Sequence, residues 1–351
     1  FGEYFQKYSV MYAAGTPPDV LMPSTSWTVT YALQNMLLPL DDLARQDHFS
    51  LADIFPEVLS MYRVEGKLYG LPQGIASMAF LYNTDQFADK GVQPPLLDWT
   101  TNDYLAIGRK LTVDTDGDGK IDRFAVGGVN YNFFLWSALG SNYFDSELYP
   151  RKFLLNSPAG YLGLQFIQDM RWKEHIIPQP GEAADIYVGT ASMSMIGHWN
   201  LAVVLKQANF SWNLLSVPRI KDSVQRADGS AWCASKSTKH AAEAWAYVKF
   251  AGGYEGNFIQ AKEQYITPAH RRVAVAPEWR VIPGAPNVSK EPFVYGLEHS
   301  YNNYVLTHPR GGDVMNLVNP AINSVWNNQA TPQQAMESIA PAVLELLLQL
   351  K

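Results

Sequence analysis

Apolar positions along the chain alternate between two patterns, a spacing of three to four residues and short unbroken runs. The first marks amphipathic helices and the second marks strands buried on both faces. Phe1, Tyr4, Phe5, Tyr8, Met11 and Tyr12 share one helical face, and Gly15 followed by Pro17 and Pro18 ends that helix. Residues 20–22 read as a buried strand, residues 23–27 as a polar loop with one tryptophan, and residues 28–35 as a helix. In residues 37–44, Leu37, Leu40 and Leu43 line one side.

The stretch 66–85 is the pivot of the chain. Glu65-Gly66 between two short apolar pieces predicts a two-residue hairpin turn. Leu71-Pro72 is expected to break any ladder, since Pro donates no backbone hydrogen bond, and Gln73-Gly74 is expected as exposed polar backbone. Residues 78–82 form a nearly unbroken apolar run of strand length, and Asn83-Thr84-Asp85 ends it and is placed to cap a helix starting at Gln86. Hairpin, polar loop and buried strand in this order predict a crossover between two lobes.

Further along, Thr100 or Thr101 caps a helix to about Leu111, and residues 124–126 read as a strand. Residues 133–139 read as an aromatic helical turn. Ser157-Pro158 opens a helix carrying Leu162, Phe166 and Met170. Residues 191–196, 212–217 and 231–234 are strand-like, with a polar loop over 222–229, and residues 240–250 form a helix that Gly252-Gly253 interrupts. Residues 276–292 are Pro-rich and irregular. Thr331, Pro332 and Gln334 combine an N-cap, a first-turn Pro and a capping-box Gln for the last helix.

Composition changes this picture in three ways. At 351 residues the chain is long enough for two domains of the usual ~100–200 residues. Its net charge of −6, with the two signs interspersed, argues against nucleic acid or an anionic membrane as the main partner. Cys233 is the single cysteine, which excludes an internal disulfide and a multi-cysteine metal site. No apolar run approaches the ~18 residues that span a bilayer. The first helix lacks its N-terminal cap, so residues upstream of Phe1 are expected. Aromatic residues at 13% fit either a large core or a cleft lined with flat rings.

No P-loop, dinucleotide fingerprint, zincin helix or nucleophile elbow is present, and the seven His residues lack metal-ligand spacing. Asp41-Asp42 stands at a helix start, where a solvated first turn is expected. One motif is specific. Asp114, Asp116, Asp118 and Asp122 occupy positions 1, 3, 5 and 9 of a calcium-type loop, with Gly119 at the sharp turn and the Lys120 carbonyl at position 7. The bidentate Glu of position 12 is replaced by Ala125. The loop therefore reads either as a structural Ca2+ site or as an ion-free polar turn. The other candidates are polar loops bearing aromatics. They are Ser24 to Trp27, Gln73-Gly74, Tyr131 to Phe133 with Trp136, His198 to Asn200, Ser230 to Trp232, and Gly311 to Asp313. Sugar rings present apolar C–H faces and a fringe of hydroxyls, which flat rings and planar polar side chains hold. Trp172 and Trp245 lie on apolar helix faces and are expected in the core. Trp27 and Trp199 follow strand ends beside polar residues and are expected at ligand.

Several segments recur in a known order: AAGTPPDV (13–20), LLPLDDLA, GKLYGLP (66–72), LYNTDQFADKGVQPP (81–95), the strand ending in GHW (197–199) and STKHAAEAWAYVKF (237–250). Over essentially the whole chain this resembles the extracellular solute-binding proteins of ABC sugar importers, the family 1 group built like maltose-binding protein. The resemblance implies an α/β, two-lobe periplasmic-binding-protein-like fold of type II, with mixed sheets flanked by helices and a ligand cleft between the lobes. Residues 1–84 with 234–280 would form the N-terminal lobe, its first strand lying upstream, and residues 85–233 with 281–351 the C-terminal lobe. Crossovers would fall near 82–85, 229–235 and 276–284.

By motif position, Trp199 matches the family's sugar-stacking aromatic, Ser26 and Trp27 its polar contact loop, and Tyr131 to Phe133 its aromatic and acidic contact segment. Ser24, Gln73, Asn132, Trp136, Trp232 and Asp313 complete the candidate ligand-binding set. Ala76 and Tyr131 stand where the maltose binder has carboxylates, which argues against maltose itself. The Asp-rich loop is shared with alginate-binding relatives, although Arg123 replaces an acidic residue after its ninth position. The implied function is a non-catalytic carbohydrate receptor that delivers its ligand to the permease subunits of an ABC transporter. It would be a monomer, would require no cofactor, a structural Ca2+ being one of the two readings of the Asp-rich loop, and would have no nucleic-acid partner. It would be periplasmic or extracellular and lipid-anchored through upstream residues. Two other readings stay open: a carbohydrate-active enzyme with an unrecognised carboxylate pair, and a binding protein for another small solute.

Overall fold

The computed structural model describes residues 2–146, 150–221, 225–297, 300–302, 308 and 310–349. In chain order its main elements are α1 (Gly2–Ala13), β1 (Val20–Leu21), α2 (Thr25–Leu33), β2 (Arg63–Val64), β3 (Lys67–Leu68), β4 (Leu71–Ile75), β5 (Met78–Asn83), α3 (Thr84–Asp89), α4 (Thr101–Leu111) and β6 (Phe124–Val126). Beyond these come α5 (Asn132–Leu139), α6 (Pro158–Trp172), β7 (Ala191–Gly197), β8 (Trp212–Leu215), β9 (Gln225–Ala227), β10 (Gly229–Ala234), α7 (Ala241–Gly252), α8 (Tyr254–Lys262), β11 (Ser300–Asn302), α9 (Gly311–Trp326) and α10 (Pro332–Leu347). The chain divides into two compact units, residues 1–76 with 227–280 and residues 77–226 with 281–351.

The first unit is built on a three-stranded antiparallel sheet in the order β1-β10-β4. Glu65 and Gly66 both take positive φ, 49° and 80°, as a two-residue turn between β2 and β3 requires. The expected ladder break at Pro72 does not occur. Pro72 lies inside β4 opposite Ala231, and the register skips Gln73 between the Ser230–Gly74 and Ala231–Pro72 pairs. The bulge accommodates the missing N–H by taking one residue out of the ladder beside Pro72, and Ala231 N, opposite Pro72, donates to Pro23 O (3.1 Å). Gly74 is buried rather than exposed. The second helix also starts earlier than predicted: Ser24 is its N-cap, so Ser26 and Trp27 occupy its first turn. Behind the sheet, α7 turns Ala244, Trp245 and Val248 inward. Its last residue, Gly252, sits so close to β4 that an added Cβ would lie 2.5 Å from Leu71 Cβ and 2.9 Å from Leu71 O.

The second unit holds a four-stranded mixed sheet in the order β6-β7-β5-β8. The central strand β5 pairs antiparallel with both β7 and β8, while β6 runs parallel to β7. Buried on both faces, β5 shows the unbroken apolar run its position demands. Asn83 caps α3 by accepting from Asp85 N and Gln86 N (both 3.0 Å), and capping boxes open α4 at Thr100 and α10 at Thr331. Leu164, Ile167 and Met170 of α6 join Phe134, Val318, Ile322 and Val343 in one core. Leu162 points outward at 56% exposure, because Gly160 and Gly163 form the close-packed side of the helix. Part of the predicted polar loop over 222–229 is strand, since β9 pairs with β11; residues 222–224 lie outside the described residues.

The unit boundaries differ from the expected ones. The first comes at 76/77 rather than 84/85, because all pairing of β5 is within the second unit; the second comes at 226/227 rather than 233/234, because β10 pairs with β1 and β4. The third falls at 280/281.

The seating of Gly252 yields a test. Gly252→Ala is expected to cost about 1–3 kcal/mol by overpacking against β4, whereas Gly312→Ala, with nothing within 4 Å of the added carbon, costs less than about 0.5 kcal/mol. Urea unfolding midpoints of the two variants read the difference, and equal midpoints would refute the close seating.

Candidate functional site

Each unit presents its own polar and aromatic groups. In the first, the β1–α2 connection brings Ser24 Oγ to 3.3 Å from Ser26 Oγ, and Ser24 bridges Ser230 of the strand β10. Trp27 is half-buried, stacked on Phe5 at 5.1 Å and tilted on Tyr31 at 5.3 Å, so part of its ring belongs to the α1–α2 packing. Gln73, the bulge residue, donates Nε2 to Gln260 Oε1 of α8 (2.8 Å). Trp232 packs on α7, its ring edge-on to Tyr247 at 5.4 Å.

In the second unit, the turn that leaves β7 carries Trp199. Gly197 N donates to Asn200 Oδ1 (3.1 Å) and His198 N to Ser77 O (3.1 Å), which tightens residues 198–200 into a single 3-10 turn. Trp199 is 51% exposed, and its ring lies over Gly197, where an added Cβ would come within 2.3 Å of ring atoms. Only glycine admits that approach. Beneath the turn His198 is fully buried, edge-on to Phe293 at 5.0 Å. Burial, with the Lys290 charge nearby, holds its imidazole pKa well below the ordinary value, so it is neutral.

The α5 segment divides. Tyr131, at its N-terminal end, is half-buried; it donates its hydroxyl to Asn323 Oδ1 (3.0 Å) and tilts against Trp326 at 5.4 Å. Trp326 in turn carries the Arg171 guanidinium 4.7 Å above its ring. Asn132 accepts from Tyr143 Oη and donates Nδ2 to Asn130 Oδ1 (2.9 Å). Phe133 and Trp136 are only 2% and 4% exposed, in edge-to-face contact at 5.1 Å, and sit in the core. Trp136 Nε1 is buried with no hydrogen-bond partner among the described residues. Asp313, in the first turn of α9, accepts from Arg310 Nε (2.6 Å). Trp326 and Asn323 were not singled out from sequence. The signal was present, since Trp326 is followed by Asn327 and Asn328 at a helix end.

The Asp-rich loop is exposed. Carboxylate oxygens of Asp114, Asp116 and Asp122 lie within 4.8 Å of one another. Asp114 accepts from Gly117 N (2.7 Å) and Gly119 N (2.9 Å), both glycines having positive φ, and Asp122 accepts from Thr115 N (2.6 Å). Asp118 stands apart from the three, its carboxylate 3.3 Å from Lys120 Nζ.

A family model described as a bacterial extracellular solute-binding protein matches residues 1–257. A binding protein of Brucella abortus is 31% identical over 133 residues, 37% of this chain and 28% of that protein. The arabinooligosaccharide-binding protein of Bacillus subtilis is 25% identical over 277 residues, 73% of this chain and 61% of that protein. The chain thus matches less than two thirds of the length of either relative. The crystal structure of the cyclic alpha-maltosyl-1,6-maltose binding protein from Arthrobacter globiformis aligns with a TM-score of 0.82 at 18% identity, covering 99% of this chain and 89% of that one. The fold is that of the two-lobe substrate-binding proteins.

The neutral, buried His198 sets a pH dependence. Its pKa is lowered in the folded state, so above the unfolded value of about 6.5 it costs nothing, and stability falls as pH drops below that value because only the unfolded chain takes the proton. The slope for this one group is at most about 1.4 kcal/mol per pH unit. His198→Asn is expected to lose less stability between pH 7 and pH 5 than the parent, whatever its stability at pH 7. Denaturation midpoints that fall equally steeply in both would refute a neutral buried imidazole.

Proposed function

We propose that this chain, which belongs to the bacterial extracellular solute-binding protein family, is a carbohydrate receptor that hands a sugar or oligosaccharide to the permease subunits of an ABC transporter in the periplasm or outside the cell. The observation that carries this reading is Trp199. A half-exposed indole laid on a glycine at a strand end is a rigid flat platform, and it suits the C–H face of a sugar ring. Tyr131 with Trp326, in the same unit as Trp199, supplies a hydroxyl and further rings. The sugar binders among the relatives and neighbours lend support, and the role proposed is capture without chemical change. Trp199→Ala is expected to weaken binding of the best ligand from a calorimetric oligosaccharide screen at least tenfold, about 1.4 kcal/mol, with the apo melting temperature unchanged. Equal affinity would sink the stacking role. Conversion of that sugar on long incubation with pure protein would replace the receptor by an enzyme.

The loop at 114–122 we propose as a weak structural Ca2+ site held by Asp114, Asp116, Asp122 and the Lys120 carbonyl. Three converging carboxylates suit a hard cation, while Ala125 in β6 removes the bidentate ligand and Asp118 is engaged by Lys120. Affinity in the range of about 10⁻⁴–10⁻³ M is expected of such a reduced ligand set. Millimolar CaCl2 should raise the melting temperature of the parent and not of Asp116→Asn; no rise in the parent would make the loop an ion-free turn.

A further inference from the structure

Trp232 leaves a question that the sugar reading does not absorb, because its ring packs against Tyr247 of α7. There it lines a pocket of about 390 Å³ within the first unit, together with Asp19, Val20, His240, Glu243 and Tyr247. That volume lies within the range of small-ligand sites. We propose that this pocket is a second binding site, independent of the sugar site, and that it takes a small organic cation bearing an ammonium or guanidinium group.

The wall chemistry selects the class. The rings of Trp232 and Tyr247 meet at 74° with centroids 5.4 Å apart, giving two sides of an aromatic corner, and Tyr247 is 50% exposed. Ring faces carry negative potential and attract cations, most strongly where water is partly excluded. Asp19 and Glu243 add two carboxylates on the same pocket. Asp19 accepts from Thr238 Oγ1 (2.5 Å), and Glu243 has no hydrogen-bond or ion-pair partner among the described residues. No Lys or Arg lines the pocket. A sugar would need donors as well as acceptors. The lining offers His240 alone as a side-chain donor besides the Tyr247 hydroxyl, since Trp232 Nε1 is buried away from solvent. Two carboxylates beside two ring faces, with only these two donors and no cationic side chain, suit a cation better than a polyol.

The test uses the intact protein and the indole ¹H–¹⁵N signal of Trp232, assigned by its disappearance in Trp232→Phe. Titration with butylguanidinium chloride is expected to shift that signal saturably, with millimolar affinity, and Glu243→Gln is expected to weaken the shift at least fivefold. Butanol at equal concentration, which has the same apolar stem and no charge, should leave it in place. A butanol shift as large as that of the cation, a shift by maltotriose, or undiminished binding in Glu243→Gln would each overturn the proposal. Trp199→Ala, which removes the sugar platform, should leave the cation titration unaltered, so failure of one site does not pass for failure of the other.

Discussion

The register of β5 against β7 is the constraint on which the second unit depends. Met78 stands opposite Gly197, Phe80 opposite Met195 on one side and opposite Leu215 on the other. Because side chains alternate along a strand, a slip of one residue would carry each side chain of β5 to the opposite face, among neighbours packed for a different shape, so close packing on both faces locks the pairing. That lock decides where β7 ends, and the Ser77 carbonyl preceding β5 then receives His198 N and starts the turn that carries Trp199. The exposed indole is thus positioned by the same ladder that forms the core. The buried His198 beneath it and the glycine under its ring remove the freedom that a loop-borne tryptophan would otherwise have.

The first unit solves a different problem with a comparable device. A proline within a strand forfeits one ladder bond, and the chain absorbs the loss by skipping Gln73 in the register. Asn257, fully buried, then donates to the Pro72 carbonyl (3.1 Å) and accepts from Ala269 N (3.0 Å). Gly252 allows α7 to close on Leu71. Strand, bulge and helix are mutually dependent here, which is why the local rule for proline gave the wrong expectation.

Elements whose signals are local were legible from sequence. The Glu65-Gly66 turn, the caps at Thr100, Ser157 and Thr331 and the buried run of β5 each act within a few residues, and each stands where its pattern puts it; the helix after β5 begins at Thr84, two residues before the expected start, with Asn83 as its cap. What was not legible depends on partners distant in sequence. The start of α2 at Thr25 is supported by the bridge from Ser24 to Ser230, about two hundred residues on. Among the site candidates, Trp199 stands exposed at its strand end, while Phe133 and Trp136 of the same composition class are buried. A helix that is apolar all round sits in a core, and α5 from Phe133 to Ala138 is of that kind. Polar neighbours therefore marked the half-exposed start of that segment, at Tyr131, and said nothing about the residues after it.

The stack Arg171–Trp326–Tyr131 shows why rings at such a surface need a supporting layer. Arg171 donates Nε to Pro178 O (2.9 Å) and one Nη to Asn327 Oδ1 (3.2 Å), so its plane is fixed over Trp326. Burial lowers its pKa, yet a guanidinium remains charged, and the indole face is the surface that best tolerates it. Trp326 then presses on Tyr131, whose hydroxyl is already committed to Asn323. A tyrosine held by its ring and its hydroxyl has little rotamer freedom left to lose when a ligand arrives, and each immobilised side chain otherwise costs about 0.5–1.5 kcal/mol. The charge on Arg171 is thereby converted, through two ring contacts, into pre-organisation of a residue that it does not touch.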